Sequence, residues 1–333
     1  MLRCLSGQNT KFLDLSKYEM VNKVGTESYL AVYLMKEIST NNFYVFRIIN
    51  SLNFKSKKFL EFANLVKLID LPNFNRIHFC DYLSNFIGYR SKFTEKYHKD
   101  TIVFVVDYIQ NNNLELLTKR YLEGDTSIIT PTIRNKIIFG VASSMKYLHK
   151  NNILHRNLKN SHILLDDNFE PVVTFSSVSQ FMTNDFDINI AGTPICTAPE
   201  VIEDNDNIGF PSDVYSFSIF LYRLFEPDVK FENDKSKLTC FKLFRRIVKG
   251  DRFIKPNNIS ESFWNLIQNC WKQNPDERLT FDQIVTELKN DKYALNEFGM
   301  KTDLDELHEY QNRIEKNRPA HVEFYNLMKS LHK

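Results

Sequence analysis

Residues able to do chemistry concentrate in His155-Arg156-Asn157-Leu158-Lys159-Asn160-Ser161-His162. The run holds imidazoles, cations, amides and a hydroxyl, but no carboxylate. Asn157 has the size of an aspartate without its charge, so it is a poor proton acceptor and no general base. His162 is a metal-ligand type, yet a lone histidine with no second ligand in view ordinarily makes a hydrogen bond. Carboxylates stand nearby at Asp166, Asp167, Asp185 and Asp187. The first pair belongs to an Asp-Asp-Asn turn and the second to an exposed stretch, so neither reads as a built site.

The elements that position this run are legible on both sides. Residues 138–149 are apolar at helical spacing and end in Met145-Lys146-Tyr147-Leu148-His149, predicting a helix that leads into the run. After it, Ile163-Leu164-Leu165 and residues 171–174 read as two short buried strands joined by the turn at Asp166-Asp167-Asn168.

The whole arrangement resembles the catalytic loop of a protein kinase, where His-Arg-Asp-Leu precedes three variable residues and an Asn. In that family the Asp accepts the substrate hydroxyl proton and the Asn holds a magnesium ion. Here those positions are Asn157 and His162. The Asp-Phe-Gly motif, whose Asp also carries magnesium, is replaced by Phe175-Ser176-Ser177 when read without a gap. The frame is retained and the chemistry is removed.

The resemblance continues downstream. Gly192-Thr193-Pro194 and Ala198-Pro199-Glu200 are similar to the end of a kinase activation segment. The run Asp213-Val214-Tyr215-Ser216-Phe217 resembles the buried helix that anchors the larger lobe, and the segment from Cys270-Trp271 to Arg278 resembles the late motif whose arginine pairs with the Ala-Pro-Glu glutamate. It implies architectural roles for His155, Arg156, Glu200, Asp213 and Arg278. In the family Arg156 can receive a phosphorylated activation segment, with Thr183 and Thr193 as candidates by location. Trp271 and the surroundings of Asp213 look like the tyrosine-kinase-like branch, whereas Lys159 is more like the serine/threonine pattern.

The N-terminal part resembles the family less closely. Residues 18–25 look like a first strand running into a phosphate-covering loop, but the pattern Gly-x-Gly-x-x-Gly-x-Val is met here by Gly25, Glu27, Leu30 and Val32. Missing glycines keep the backbone away from phosphate oxygens, and Glu27 would add negative charge beside a triphosphate. The next strand, residues 43–49, places Arg47 where kinases have the phosphate-binding lysine, and a planar guanidinium does not replace an ammonium there. An internal ion pair or a charge at the end of a strand is the expected role for Arg47. Its helix partner falls to Glu61 or to Asp70, the latter if Phe86-Ile87-Gly88-Tyr89 begins the fourth strand. Residues 101–109 read as a buried strand and inter-lobe hinge, and Asp107 and Ile109 are the hinge positions whose backbone would hold adenine. Val106 would guard the pocket behind.

Bulk properties are compatible with this frame. The 333 residues are 43% hydrophobic and 25% charged, with 28 Phe to fill a core. A net charge of +2 gives no argument for a nucleic-acid or membrane partner. Five scattered cysteines (4, 80, 196, 240 and 270) without metal-ligand spacing fit reduced thiols. The opening residues lack a signal-peptide core, and the most apolar run, residues 102–106, is far too short to span a bilayer.

The expectation is therefore an α+β, two-lobed, protein-kinase-like fold: a leader at 1–17, a kinase-like domain at 18–290 (a small β-rich lobe over about 18–109 and a larger helical lobe over about 110–290), and a helical tail at 291–333. In the tail Leu304, Leu307 and Ile314 share a face, and Val322, Phe324, Leu327, Met328 and Leu331 form a second apolar set. The resemblance implies a cytoplasmic pseudokinase that acts by binding protein partners, an active kinase or another signalling protein among them. Any ATP binding is expected to be weak and independent of magnesium, with no metal held. The alternative is an active serine/threonine kinase with relocated catalytic and metal-binding residues.

Overall fold

The computed structural model describes residues 13–27, 30–49, 60, 77–82, 97, 101–110, 114–174, 194–228, 231 and 239–316. The expectations resting on residues 1–12, Glu61, Asp70, residues 86–89, Phe175, Ser176, Ser177, Thr183, Asp185, Asp187, Thr193 and residues 317–333 lie outside them. The chain divides into two compact units, one of Met1–Asp70 with Arg76–Tyr108 and one of Leu71–Asn75 with Ile109–Lys333.

The first unit is built on an antiparallel sheet of β1 (Tyr18–Glu27), β2 (Leu30–Glu37), β3 (Phe43–Ile49), β4 (Ile77–Tyr82) and β5 (Ile102–Asp107), in the order β1-β2-β3-β5-β4. Alternation decides which side is buried. Ala31, Tyr33 and Met35 of β2, Phe46 and Ile48 of β3, and Val103 and Val105 of β5 form one core with Leu15. The Tyr97 hydroxyl reaches that core to share a 2.6 Å hydrogen bond with Tyr33. The opposite face carries a row in register, Val32 beside Arg47 beside Phe104. The strand on the far side of β5 is Ile77–Tyr82, with a register shift between Ile77 and Phe79.

The second unit is organised by two buried helices. Among the described helices, α1 (Leu114–Leu122) is followed by α2 (Pro131–Lys150), α3 (Pro199–Glu203), α4 (Phe210–Phe225), α5 (Cys240–Val248), α6 (Glu261–Cys270), α7 (Phe281–Glu287) and α8 (Leu304–Lys316). Thr130 caps α2 by accepting the N–H of Ile133, and Pro131 opens it where a missing donor costs nothing. The helix thus begins seven residues before the apolar run that predicts it, because Thr132, Arg134, Asn135 and Lys136 are polar. These four residues hold the segment that follows α7. Asn135 Oδ1 accepts from the Leu295 N–H at 2.9 Å and the Thr302 hydroxyl at 2.7 Å, while its Nδ2 donates to the Tyr293 carbonyl at 2.8 Å. Thr132 Oγ1 accepts from the Asp303 N–H, Lys136 pairs with Glu306, and Arg134 pairs with Glu297 beneath the rings of Tyr121 and Phe225.

Between Leu295 and Thr302 the chain makes a hairpin of β8 (Asn296–Glu297) and β9 (Met300–Lys301), with Phe298 and Gly299 at φ 52° and 75°. Positive φ at both central positions is what a tight hairpin demands. Helix α8 then lies on α2 through Leu307, Tyr310, Gln311 and Ile314, whereas Leu304 is exposed at its start. The approach is close: a methyl added at Gly140 would strike both the Tyr310 hydroxyl and the Pro171 ring.

Candidate functional site

The run 155–162 leaves the end of α2 and is shaped by one carboxylate. Asp213, in the first turn of α4 and fully buried, accepts the backbone N–H of His155 and of Arg156, each at 2.8 Å, and faces His149 Nε2 at 3.0 Å. Burial would raise the Asp213 carboxyl, but the bond from His149 and the nearby imidazoles hold it below its usual value. Arg156 sits at φ 65°, a left-handed conformation that a non-glycine residue adopts only under constraint. The Asp213 carboxylate supplies that constraint. Desolvation lowers the Arg156 guanidinium, whose Nε is buried without a partner.

His155 is the inner anchor. It is fully buried, its Nδ1 accepts the Asn157 N–H at 3.3 Å and its Nε2 faces the Thr174 carbonyl at 3.2 Å. Those partners suit a neutral ring protonated on Nε2. Desolvation drives its pKa down to about 4 from 6.5, against a smaller opposing pull from Asp213. The sign follows. Below pH 6.5 the unfolded chain takes up a proton that the folded chain refuses, so stability falls with pH until about 4. At roughly 1.4 kcal/mol per pH unit, the loss between pH 7 and pH 5 is about 2 kcal/mol. Urea midpoints at the two pH values check this. His155→Gln should flatten that slope, and an unchanged slope would assign it elsewhere.

The outer part of the loop is closed on itself. His162 is buried, and its Nδ1 lies 2.8 Å from the Asn157 carbonyl while its backbone oxygen receives both the N–H and the hydroxyl of Thr174. Asn160 Nδ2 reaches the Phe220 carbonyl at 3.5 Å, tying the loop to α4. Among the described residues the Asn157 side-chain amide takes part in no hydrogen bond. Lys159 is half-buried and its carbonyl accepts the His162 N–H. The turn from β6 (Ile163–Leu165) to β7 (Pro171–Val173) uses Asp166, whose Oδ1 accepts the N–H groups of Asn168 and Glu170. Farther along the same unit, Glu200 and Arg278 form a bidentate pair with both N–O distances at 2.7 Å, and Arg278 also donates to the carbonyls of Pro211 and Lys272.

In the first unit Gly25 pairs with Val32, and β1 and β2 stay paired to Glu27 and Leu30. Space around Gly25 would admit a side chain. The Arg47 guanidinium lies over the Phe104 ring at 5.9 Å, a cation–π contact. Asp107 holds His78 at 2.5 Å from the neighbouring strand. Ile109 is half-buried and opens the second unit.

A sequence model described as the protein kinase domain matches residues 18–293. The chain belongs to the protein kinase family. Its kinase domain is similar to that of a probable serine/threonine-protein kinase of Dictyostelium discoideum, 28% identical over 226 residues that cover 62% of this chain and 24% of the relative. It is also similar to the serine/threonine-protein kinase PKH2 of Candida albicans, 24% identical over 282 residues covering 81% of this chain and 28% of the relative. A putative serine/threonine-protein kinase/receptor of Acanthamoeba polyphaga mimivirus is 28% identical over 192 residues, 57% of this chain and 11% of the relative. The chain spans less than a third of the length of each. The five-stranded sheet and the helical second unit are the two parts of the α+β kinase fold.

The second unit brings His155, Arg156, Asn157, Lys159, His162 and Asp213 into one kinase loop, with Glu200 and Arg278 paired apart from it. Sequence reasoning missed two members, His149 and Asn160. A histidine one turn before the loop and an asparagine within it were the available signals, but only tertiary contact shows which groups they meet.

Proposed function

We propose that this kinase domain is a pseudokinase, a cytoplasmic scaffold or allosteric regulator that signals by binding protein partners and does not transfer phosphate. The observation that carries the reading is Asn157. A neutral amide occupies the base position in a loop whose supporting contacts, Asp213 to His155 and Arg156, are otherwise in place. General-base help is worth about 10²- to 10⁴-fold, and loss of the metal-holding residues costs more because phosphoryl transfer depends on charge neutralisation. The residues present do not fit magnesium, which favours carboxylate oxygens. One ligand position is an imidazole turned onto the Asn157 carbonyl, and the other is Phe175. Arg47 in the lysine position adds a fourth replacement.

An active serine/threonine kinase is the competing reading, in keeping with the names of the relatives. Its nearest substitute ligand, Asp166, is already committed to a turn. Trp271 and the surroundings of Asp213 favour the tyrosine-kinase-like branch, and Cys80, Cys196, Cys240 and Cys270, which form no disulfide among the described residues, favour a reducing compartment. The experiment is a thermal-shift titration with ATP in magnesium and in EDTA, paired with radiolabelled phosphate transfer to a generic basic protein. Any ATP-dependent shift should be small and the same in both buffers. No label should be transferred by the native chain or by Asn157→Asp, which restores the base and leaves the ligand positions unchanged. Magnesium-strengthened binding or transfer by either protein overturns the reading.

A further inference from the structure

Helix α5 presents an outward face unlike any other among the described helices. Leu243 and Ile247 point into the second unit, and Thr239 caps the helix by accepting the Lys242 N–H. On the opposite side, within about 100° of arc at 100° per residue, stand Phe241, Lys242, Arg245 and Lys249. Phe241 is 72% exposed, the highest value among the large exposed hydrophobic side chains of the described residues. Lys242, Arg245 and Lys249 are exposed, and among the described residues none holds a carboxylate. Several exposed cations elsewhere in this unit are paired, Lys289 with Glu315, Lys292 with Glu287 and Lys150 with Asp282, as is the half-buried Arg246 on the flank of α5 itself, with Asp251, whereas Lys119, Lys301 and Lys316 stand singly among the described residues. Single exposed apolar residues and single charges are ordinary on a surface. An aromatic ring amid three unpaired cations on one face is a combination that an anionic partner with an apolar contact would complete.

The flank of this face selects among anionic partners. Helix α3 packs against α5 and ends in exposed Glu203, followed by exposed Asp204 and Asp206. A uniformly anionic lipid surface would be repelled by those three carboxylates while it was drawn to the cations. A polypeptide can place its carboxylates on one side only. We propose that the outer face of α5 docks an acidic segment of a protein partner, with Lys242, Arg245 and Lys249 taking its carboxylates and Phe241 taking an apolar side chain. The surface stands whether or not the chain transfers phosphate, so its failure and failure of the pseudokinase reading are separate results.

The test uses the full chain and fluorescence anisotropy with two labelled twelve-residue peptide libraries. Both fix a central Leu-Phe pair, one with Glu and Asp at the other positions and one with Lys and Arg. Vesicles containing phosphatidylserine form a third arm. Binding to the acidic library that weakens with added salt is expected. Phe241→Ala should weaken it about tenfold, from the loss of one buried aromatic contact. Joint reversal of Lys242, Arg245 and Lys249 to Glu should abolish it within the measurable range. All these residues are exposed, so unfolding temperatures should match the native chain, and a variant that unfolds is replaced by Phe241→Ser or by the three Lys242→Gln, Arg245→Gln and Lys249→Gln changes. Equal binding of both libraries, no binding of the acidic one, binding that survives the charge reversal, or Phe241-dependent binding to the vesicles each overturns the proposal.

Discussion

Glu200→Ala should destabilise the second unit by about 3 to 5 kcal/mol, the cost of leaving a buried charge without its partner. The side chain of Arg278 is wholly inaccessible, and both of its terminal nitrogens are spent on Glu200 at 2.7 Å. Its remaining donors go to backbone carbonyls on two segments, so the guanidinium cannot swing to water once the carboxylate is gone. Tyr215 stacks beneath it at 5.3 Å and would face the uncompensated charge through its ring alone. Asn157→Ala is the control. Its side chain is only partly buried and supports no other group, so it should cost less than about 1 kcal/mol, as ordinary surface substitutions do. Urea midpoints of the two variants in parallel decide the matter. Equal midpoints, or the reverse order, would show that the pair does not hold this unit together.

Asp213→Asn should be nearly as costly, about 3 kcal/mol, although it conserves volume. A carboxylate accepts on both oxygens, and here each oxygen takes a backbone N–H, with His149 as a further partner. An amide accepts on one oxygen only, and its NH₂ would be pressed against an N–H donor. One buried donor is then orphaned, at about 1 to 3 kcal/mol. Arg156 would also lose what holds it at φ 65°, a conformation that costs about 1 kcal/mol or more to maintain. The loop should loosen before the protein unfolds, so amide exchange at Arg156 and Asn157 ought to quicken in the variant while α6 stays protected. Uniform exchange rates would place the effect outside the loop.

The two predictions concern the part of the molecule most legible in the sequence. His155 to His162 could be recognised because its defining residues are adjacent or a few positions apart, and local spacing survives in a single chain. The replacements at Asn157 and His162 were visible for the same reason. Helix α4 was readable from the run Asp213-Val214-Tyr215-Ser216-Phe217, which resembles the buried helix that anchors the larger lobe of kinases. Other features were invisible because their meaning lies in residues far apart in the chain. Four polar residues among the first seven of α2 hid its start, and two of them, Arg134 and Asn135, meet Glu297, Leu295 and Thr302 more than 150 positions away. Nothing local in the sequence accounts for Gly140 inside a helix, whereas Tyr310 and Pro171 packed against it leave no room for a side chain. Tyr310 itself did not stand out from the alternation of the tail, where Leu304 fits the apolar face and yet lies exposed past the end of the packing.

The amino-acid sequence by itself determined that the chain is a kinase domain with an amide where the base should be, because both facts rest on residue type at short, ordered spacing. Tertiary structure alone decided which groups those residues meet: Asp213 draws the loop into shape, His162 turns onto the Asn157 carbonyl, and Arg47 lies on Phe104. A carboxylate, an imidazole and a guanidinium each have several possible partners. Which one is met is set by the packing of helices and strands that bring distant residues within 3 Å to 6 Å of one another.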